Sequence, residues 1–289
     1  MRIAVLGASG KTGRYLVAAL CDAGLETIAL GRSAERLAAV DPRAEKRLAD
    51  IEDAPGLRAA LADASHVVSL AHARFAARVL AALPAHCERV VLTGSTRHFT
   101  SLPDPAADAV RAGEAAFRAA NKPGVMLHPS MVYGAPDDRN VNRVLRLLRR
   151  WPVFLPVLLP LPDGGRHSVQ PVFVDDVVAA FVGALTRPEA PGEPVVLAGP
   201  EPISYAGMVR ACGTALGRRI HILPVPVALL TVIARTASAL GLAVPFNAVE
   251  LRRAAEDKAF DIAPMTARLG VRPRSFDTGL REKIARGWG

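Results

Sequence analysis

Gly7, Gly10 and Gly13 follow an apolar run, Ile3–Leu6, and lead straight into an amphipathic helical pattern. Glycines at that spacing bind an anion with main chain. Gly7 allows a tight turn, and Gly10 lets the backbone approach a ligand. Gly13 packs a helix N-terminus close to the strand, so that free N–H groups face a pyrophosphate. With a strand before it and a helix after it, the triplet reads as a dinucleotide-binding loop. Ser9, Lys11 and Thr12 lie within this loop and are expected to contact the cofactor. Gly10-Lys11-Thr12 also imitates the end of a nucleoside-triphosphate P-loop, but the first glycine of that motif would fall on Val5, inside the strand.

The second strand, Thr27–Leu30, ends in Gly31-Arg32-Ser33. A site for NAD usually places an acid there to hold the ribose 2′-hydroxyl. Arg32 instead offers a guanidinium suited to a 2′-phosphate, with Lys11 and Arg36 adding charge, so NADP(H) is expected in preference to NAD(H). The bland alternative is a solvated loop arginine. Asp50 and Ile51 follow a third strand, where adenine contacts are common. Leu70 and Ala71, Thr93 and Gly94, and Pro129 and Ser130 stand at later strand ends and complete the expected cofactor contacts. Two side chains past the fifth and sixth strands are suited to moving a proton. His98 carries an imidazole, and Tyr133 carries a phenol. The alternatives are an exposed loop imidazole and a packing tyrosine. Arg97 and Arg111 are candidates to hold an anionic substrate.

The elements that position these groups alternate regularly. Strand-like runs at Ile3–Leu6, Thr27–Leu30, His66–Leu70, Arg89–Thr93, Val125–His128 and Pro194–Leu197 are separated by helical patterns such as Ala34–Val40, Pro55–Ala62, Phe75–Leu83 and Asp108–Asn121. Such alternation predicts an α/β, Rossmann-type doubly wound parallel sheet with ligands at the C-terminal strand ends. Residues 1–199 are expected to form the dinucleotide-binding domain, with an excursion at about 136–168. Residues 200–289 are expected to form a small, mainly helical lobe on the substrate or partner side.

With 51% hydrophobic residues in 289, the chain can bury a substantial core. Its net charge of +9 invites a nucleic-acid reading, but the arginines look scattered and aromatic residues are few, so nucleic acid is not expected. Cys21, Cys87 and Cys212 form no disulfide framework, and no histidine–cysteine spacing indicates a metal. The first strand begins at once, so a cytoplasmic protein without a signal peptide is expected. The apolar stretch Val227–Leu242 is shorter than a span of roughly 20 residues and carries Arg235 at its middle. It is expected to be a buried helix or a contact for a partner protein or a membrane surface. Substrate and oligomeric state are not legible.

In order along the chain, several motifs resemble the atypical and extended short-chain dehydrogenase/reductases, including epimerase/dehydratase-like proteins and the NADPH-binding accessory subunit of respiratory complex I. They are Gly7–Gly13, Asp50, Thr93-Gly94-Ser95, His128-Pro129-Ser130-Met131-Val132-Tyr133-Gly134, Gln170–Val177 and Gly199-Pro200-Glu201. The closing Leu269-Gly270-Val271-Arg272-Pro273, Ser275-Phe276 and Gly279-Leu280 extend the likeness over nearly the whole chain. The resemblance implies a catalytic Ser position at Ser95 or Thr96, and a Tyr with a Lys four residues later on the helix after the fifth strand. Aligned on Glu114 and Pro129, those two positions fall near Ala106 and Val110, and the usual arginine before Pro129 is His128. Neither Ala nor Val moves a proton, and a positioned acid/base contributes about 10²–10⁴ in rate. The resemblance therefore implies one of two proteins. One is an oxidoreductase for a small carbonyl or related substrate that uses another acid, with Ser95, His98 and Tyr133 as candidates. The other is a non-catalytic NADP(H)-binding scaffold, sensor or assembly subunit. A nucleotide-sugar epimerase would still need the tyrosine.

Overall fold

A computed structural model describes residues 1–138, 140–152, 157–239 and 256–288. Its centre is a seven-stranded sheet. The strands are β1 (Arg2–Leu6), β2 (Glu26–Gly31), β3 (Glu45–Leu48), β4 (His66–Ser69), β5 (Arg89–Thr93) and β6 (Gly124–Pro129), with β11 (Val195–Leu197) at one edge. Four short pieces lie between β6 and β11: β7 (Val132–Tyr133), β8 (Val157–Pro162), β9 (Ser168–Val169) and β10 (Val172–Phe173). Two follow it, β12 (Ile203–Ser204) and β13 (Ile220–Val225). The sheet order is β11-β6-β5-β4-β1-β2-β3, and every neighbouring pair is parallel. The chain leaves β1 in one direction and returns to its other side at β4. The ends of β1 and β4 thus bound the crevice in which such sheets bind ligands.

The inner strands are largely apolar because both faces are covered, whereas the edge strand β3 reads Glu-Lys-Arg-Leu and is mostly exposed. Ile3 and Val5 point into one core with α1 (Gly13–Asp22). Ala4 and Leu6 point into another with α3 (Ala54–Leu61) and α4 (Ala76–Ala82). α2 (Ala34–Ala38) packs its Leu37 into the first core, and α5 (Pro105–Ala120) sends Phe117 into the second. Ser33, Asp53 and Asp104 accept from backbone N–H groups at the starts of α2, α3 and α5, whereas α1 has no side-chain cap.

A third core joins the excursion to the C-terminal part. It includes Leu145 and Leu148 of α6 (Val141–Arg150), Met208 and Cys212 of α8 (Tyr205–Ala215), and Phe276 and Leu280 of the helix Phe276–Ala285. β8 and β13 pair in parallel over it as a separate ribbon, followed by α9 (Val227–Ala239). Residues 240–242 of the apolar stretch lie outside the described residues. Met265 and Leu269, in the helix Ala263–Leu269, share the core of β1 and of α7 (Val174–Thr186).

The third core contains a buried ion pair. Lys283 is fully buried; its Nζ donates to the Ala135 carbonyl at 2.8 Å and lies 3.0 Å from Asp138 Oδ2. Asp138 in turn accepts from the Asn142 N–H at 2.9 Å, at the start of α6. Burial pushes the lysine's pKa down, and the carboxylate opposes that. Removing one partner of such a pair strands a charge and costs about 3–5 kcal/mol. Asp138→Ala is expected to lower stability by that amount, read as a lower midpoint in urea unfolding. An unchanged midpoint would mean that the pair contributes nothing.

Candidate functional site

The glycine loop turns where a dinucleotide needs it to. Gly7 has φ +79°, a left-handed conformation that glycine adopts freely, and the Gly10 N–H donates to its carbonyl at 2.9 Å. A Cβ on Gly13 would lie 2.2 Å from the Gly7 oxygen and 2.6 Å from that of Ala8, so only glycine lets α1 approach so closely. The residues therefore fit a pyrophosphate held by backbone. Beside the loop is a cavity of about 260 Å³, lined by Lys11 and Thr12 on one side and by Ser130, Tyr133, Asp138 and Asn140 on the other. Lys11 Nζ donates to the Asp137 carbonyl, and Arg14 lies 3.5 Å from the Asp137 carboxylate, so the excursion is tied to the loop.

At the end of β2, Arg32 is exposed and forms no hydrogen bond or ion pair with a described residue. Arg36 Nη2 donates to the Ser9 carbonyl at 3.5 Å, which brings a second guanidinium to the glycine loop. Asp50 is turned to its own loop, where it accepts from the Glu52 N–H, and Ile51 packs on the core. Leu70 stands over Gly7, its Cβ 3.4 Å from where a Gly7 Cβ would be, and Ala71 follows it. Thr93 Oγ1 is buried without a hydrogen-bond partner among the described residues. Ser130 Oγ donates to the Gln170 carbonyl at 2.5 Å, next to the half-buried Pro129.

Past β5, Ser95 caps the short helical turn Thr96–Phe99 by accepting from the Arg97 N–H at 3.2 Å. His98 sits on that turn, and its ring faces α5 rather than hanging in solvent. Its Nδ1 lies 3.1 Å from Glu114 Oε2, and Nε2 of the buried His128 lies 3.0 Å from the same oxygen. These are ion-pair distances without hydrogen-bond alignment. The other carboxylate oxygen accepts from Arg118 at 3.0 and 3.1 Å. His128 Nδ1 is 3.1 Å from both the N–H and the carbonyl of Ser95, so it has a partner whether neutral or protonated. A Cβ on Gly94 would lie 2.4 Å from that nitrogen, so the glycine makes room for the imidazole.

Tyr133 is corrected by the structure. Its side chain is fully buried between Phe173 and Phe276, and its hydroxyl donates to the Phe276 carbonyl at 3.1 Å. Burial raises its pKa far above the ordinary phenol value. It is a packing residue, not a proton donor. Arg97 and Arg111 are also engaged: Arg97 with Asp104, and Arg111 with the carbonyls of His98 and Thr100. On α5, Val110 is buried at the place of the lysine, and Ala106 is half-buried at that of the tyrosine. Sequence reasoning used Glu114 only to align the helix and missed it as the centre of the cluster. Only the packing of α5 beside the end of β6 brings this acid to His128.

Residues 7–123 match the family described as NAD(P)H-binding. A short-chain dehydrogenase/reductase superfamily protein from Agrobacterium tumefaciens, solved with bound NAD, superposes with a TM-score of 0.73 at 17% identity, covering 99% of this chain and 97% of that one. UDP-N-acetylglucosamine 4-epimerase from Bacillus cereus gives 0.75 at 16% over both full lengths. The chain has the NAD(P)-binding fold of the short-chain dehydrogenase/reductases and epimerases. Among curated proteins it is 28% identical, over 209 residues, to "NADH dehydrogenase [ubiquinone] 1 alpha subcomplex subunit 9, mitochondrial" of Arabidopsis thaliana, covering 63% of this chain and 49% of the relative. The same subunit of Dictyostelium discoideum is 23% identical, covering 70% and 60%. The chain thus spans about half the length of the curated relatives it matches.

Burial lowers the pKa of His128 below the usual histidine value, and the Glu114 carboxylate pulls the other way. A histidine depressed in the folded state stabilises the protein above its unfolded pKa, about 6.5, and that contribution is lost as the pH falls through the folded pKa. The urea midpoint is therefore expected to drop between about pH 7 and 5. His128→Gln should flatten part of that drop, and an unaltered profile would show that His128 does not carry it.

Proposed function

We propose that the protein binds NADP(H) in preference to NAD(H) and is an oxidoreductase for a small carbonyl or related substrate, acting without the Tyr–Lys dyad. The observation that carries the cofactor preference is the end of β2. No acid stands there, Arg32 projects unpaired among the described residues, and Arg36 reaches the glycine loop. Two guanidiniums suit the extra phosphate as a carboxylate suits a ribose hydroxyl. Ser9–Gly13, Leu70, Thr93, Gly94 and Ser130 would hold the rest of the dinucleotide, which supplies or accepts a hydride when bound.

The companion proton falls to the chain. His98 is the candidate that remains: its Nδ1 lies 3.1 Å from Glu114 Oε2, its Nε2 has no hydrogen bond with a described residue, and its side chain is 27% exposed. A carboxylate that orients an imidazole is the arrangement found behind acid–base histidines. Ser95, at the same strand end, would bind a substrate oxygen. The free cysteines support a reducing compartment such as the cytoplasm.

A second reading is a cofactor-holding accessory or assembly subunit. The buried Val110 in place of a lysine favours it, as do the NADH dehydrogenase subunits among the relatives.

Paired titrations with NADPH and NADH, followed by nicotinamide fluorescence, test the proposal first. NADPH is expected to bind tighter by about tenfold or more, and Arg32→Ala to remove about 10- to 100-fold of NADPH affinity while leaving NADH unchanged. Equal affinities would refute the preference. With a turned-over carbonyl in hand, His98→Gln should lower kcat by about 10²–10⁴ at unchanged cofactor affinity. Tight NADPH binding with no oxidation across a carbonyl panel would leave the second reading.

A further inference from the structure

The positive charge of this chain is concentrated. Residues 139–162 contain five arginines and residues 202–249 contain four, and neither stretch has a single Asp or Glu. These nine equal the entire net charge of +9, so the remainder of the chain is balanced. In sequence the two stretches are far apart and the arginines look dispersed. The fold joins them. β8 and β13 pair along their whole length, from Val157 with Ile220 to Pro162 with Val225. Arg218 donates to the carbonyls of Leu148, Trp151 and Pro152, which locks the end of α6 to the start of β13. Arg149, Arg150 and Arg219 are thereby gathered at one end of the ribbon. All three are exposed, and none forms an ion pair with a described residue.

The ribbon and the helices that flank it in sequence, α6 before β8 and α9 after β13, also expose large apolar side chains. Leu158 and Leu223 are 43% and 46% exposed on the ribbon, and Leu229 and Val232, one turn apart on α9, are 52% and 60% exposed. Leu147 on α6 is exposed between Arg146 and Arg149. Unpaired arginines beside outward leucines form a surface that is both cationic and apolar.

We propose that this face, built from α6, the β8–β13 ribbon and α9, docks peripherally on an anionic lipid surface. Arginines meet headgroup phosphates while the leucines and valine enter the boundary with the acyl chains. Nucleic acid would satisfy the arginines but leave the apolar side chains in water. A second copy of the chain, paired through a two-fold axis, would set like charges against each other. The contact is interfacial, since no described helix is long and apolar enough to cross a membrane.

Flotation of the full chain with phosphatidylcholine vesicles, with and without phosphatidylglycerol, tests this. Retention by the anionic vesicles is expected to exceed that by neutral ones by about tenfold or more and to fall with salt. Arg149→Glu with Arg150→Glu should cut retention on the order of tenfold. Leu229→Asp with Val232→Asp should remove it even at low salt. All four positions are exposed, so thermal unfolding should stay close to the parent and separate lost docking from lost folding. The proposal is overturned if anionic vesicles retain no protein, or if the variants are retained like the parent. It is also overturned if duplex DNA is bound in place of vesicles, or if the leucine–valine variant dissociates a dimer that ignores vesicles.

Discussion

The carbonyl oxygen of Gly7 and the Cα of Gly13 stand so close that no side chain fits between them, and the rest of the molecule is arranged around that approach. It brings the uncapped start of α1 against the end of β1, at the point where the sheet order reverses. A helix there presents N–H groups and the positive end of its dipole to the crevice. Leu16, Val17 and Leu20 on the inner side of α1 then share one core with α7 and the helix Ala263–Leu269. The close contact thus sets both where an anion binds and which late segments return to cover the sheet.

Glu114 plays the corresponding part on the other side of the crevice. One buried carboxylate stands against two imidazoles and a guanidinium, which joins the turn after β5, the end of β6 and the middle of α5. Burying a carboxylate is costly unless partners compensate, and Arg118 supplies a positive charge beside it. The Ser95 backbone gives His128 a partner in either state. Glu114 and the two imidazoles thus stand close to the strand ends, on and beside a helix that carries Ala106 and Val110 where the resemblance places a tyrosine and a lysine. His98 is the one of the two with appreciable exposure, which separates its role from that of His128.

Local signals were legible because they are written in short range. The run from Ile3 to Leu16 specifies strand, turn and helix within fifteen residues, and the alternation up to β6 follows from the same periodicity. Arg32 could be placed at the end of β2 by counting. What could not be read is what depends on distant pairing. Tyr133 has the right chemistry and the right position after β6, but whether it faces a ligand or the core is decided by Phe276, which lies 143 residues further on. Glu114 and His128 look like unrelated polar residues until α5 packs beside β6. The acid-free stretches were visible in composition, yet only the β8–β13 pairing and Arg218 turn them into one face.

The loop Ala135–Asp138 connects these parts. On one side its Asp137 carbonyl receives Lys11 from the glycine loop, and its carboxylate faces Arg14. On the other side Ala135 and Asp138 hold the buried Lys283 of the last helix. Asp138 also binds the first turn of α6, the helix that carries the arginines. A short polar loop therefore links the glycine loop to α6 and the last helix through ionic and main-chain contacts, beside the apolar contacts of the third core. Lys11 belongs to the glycine loop and also donates to Asp137, so one ammonium joins the loop to the excursion.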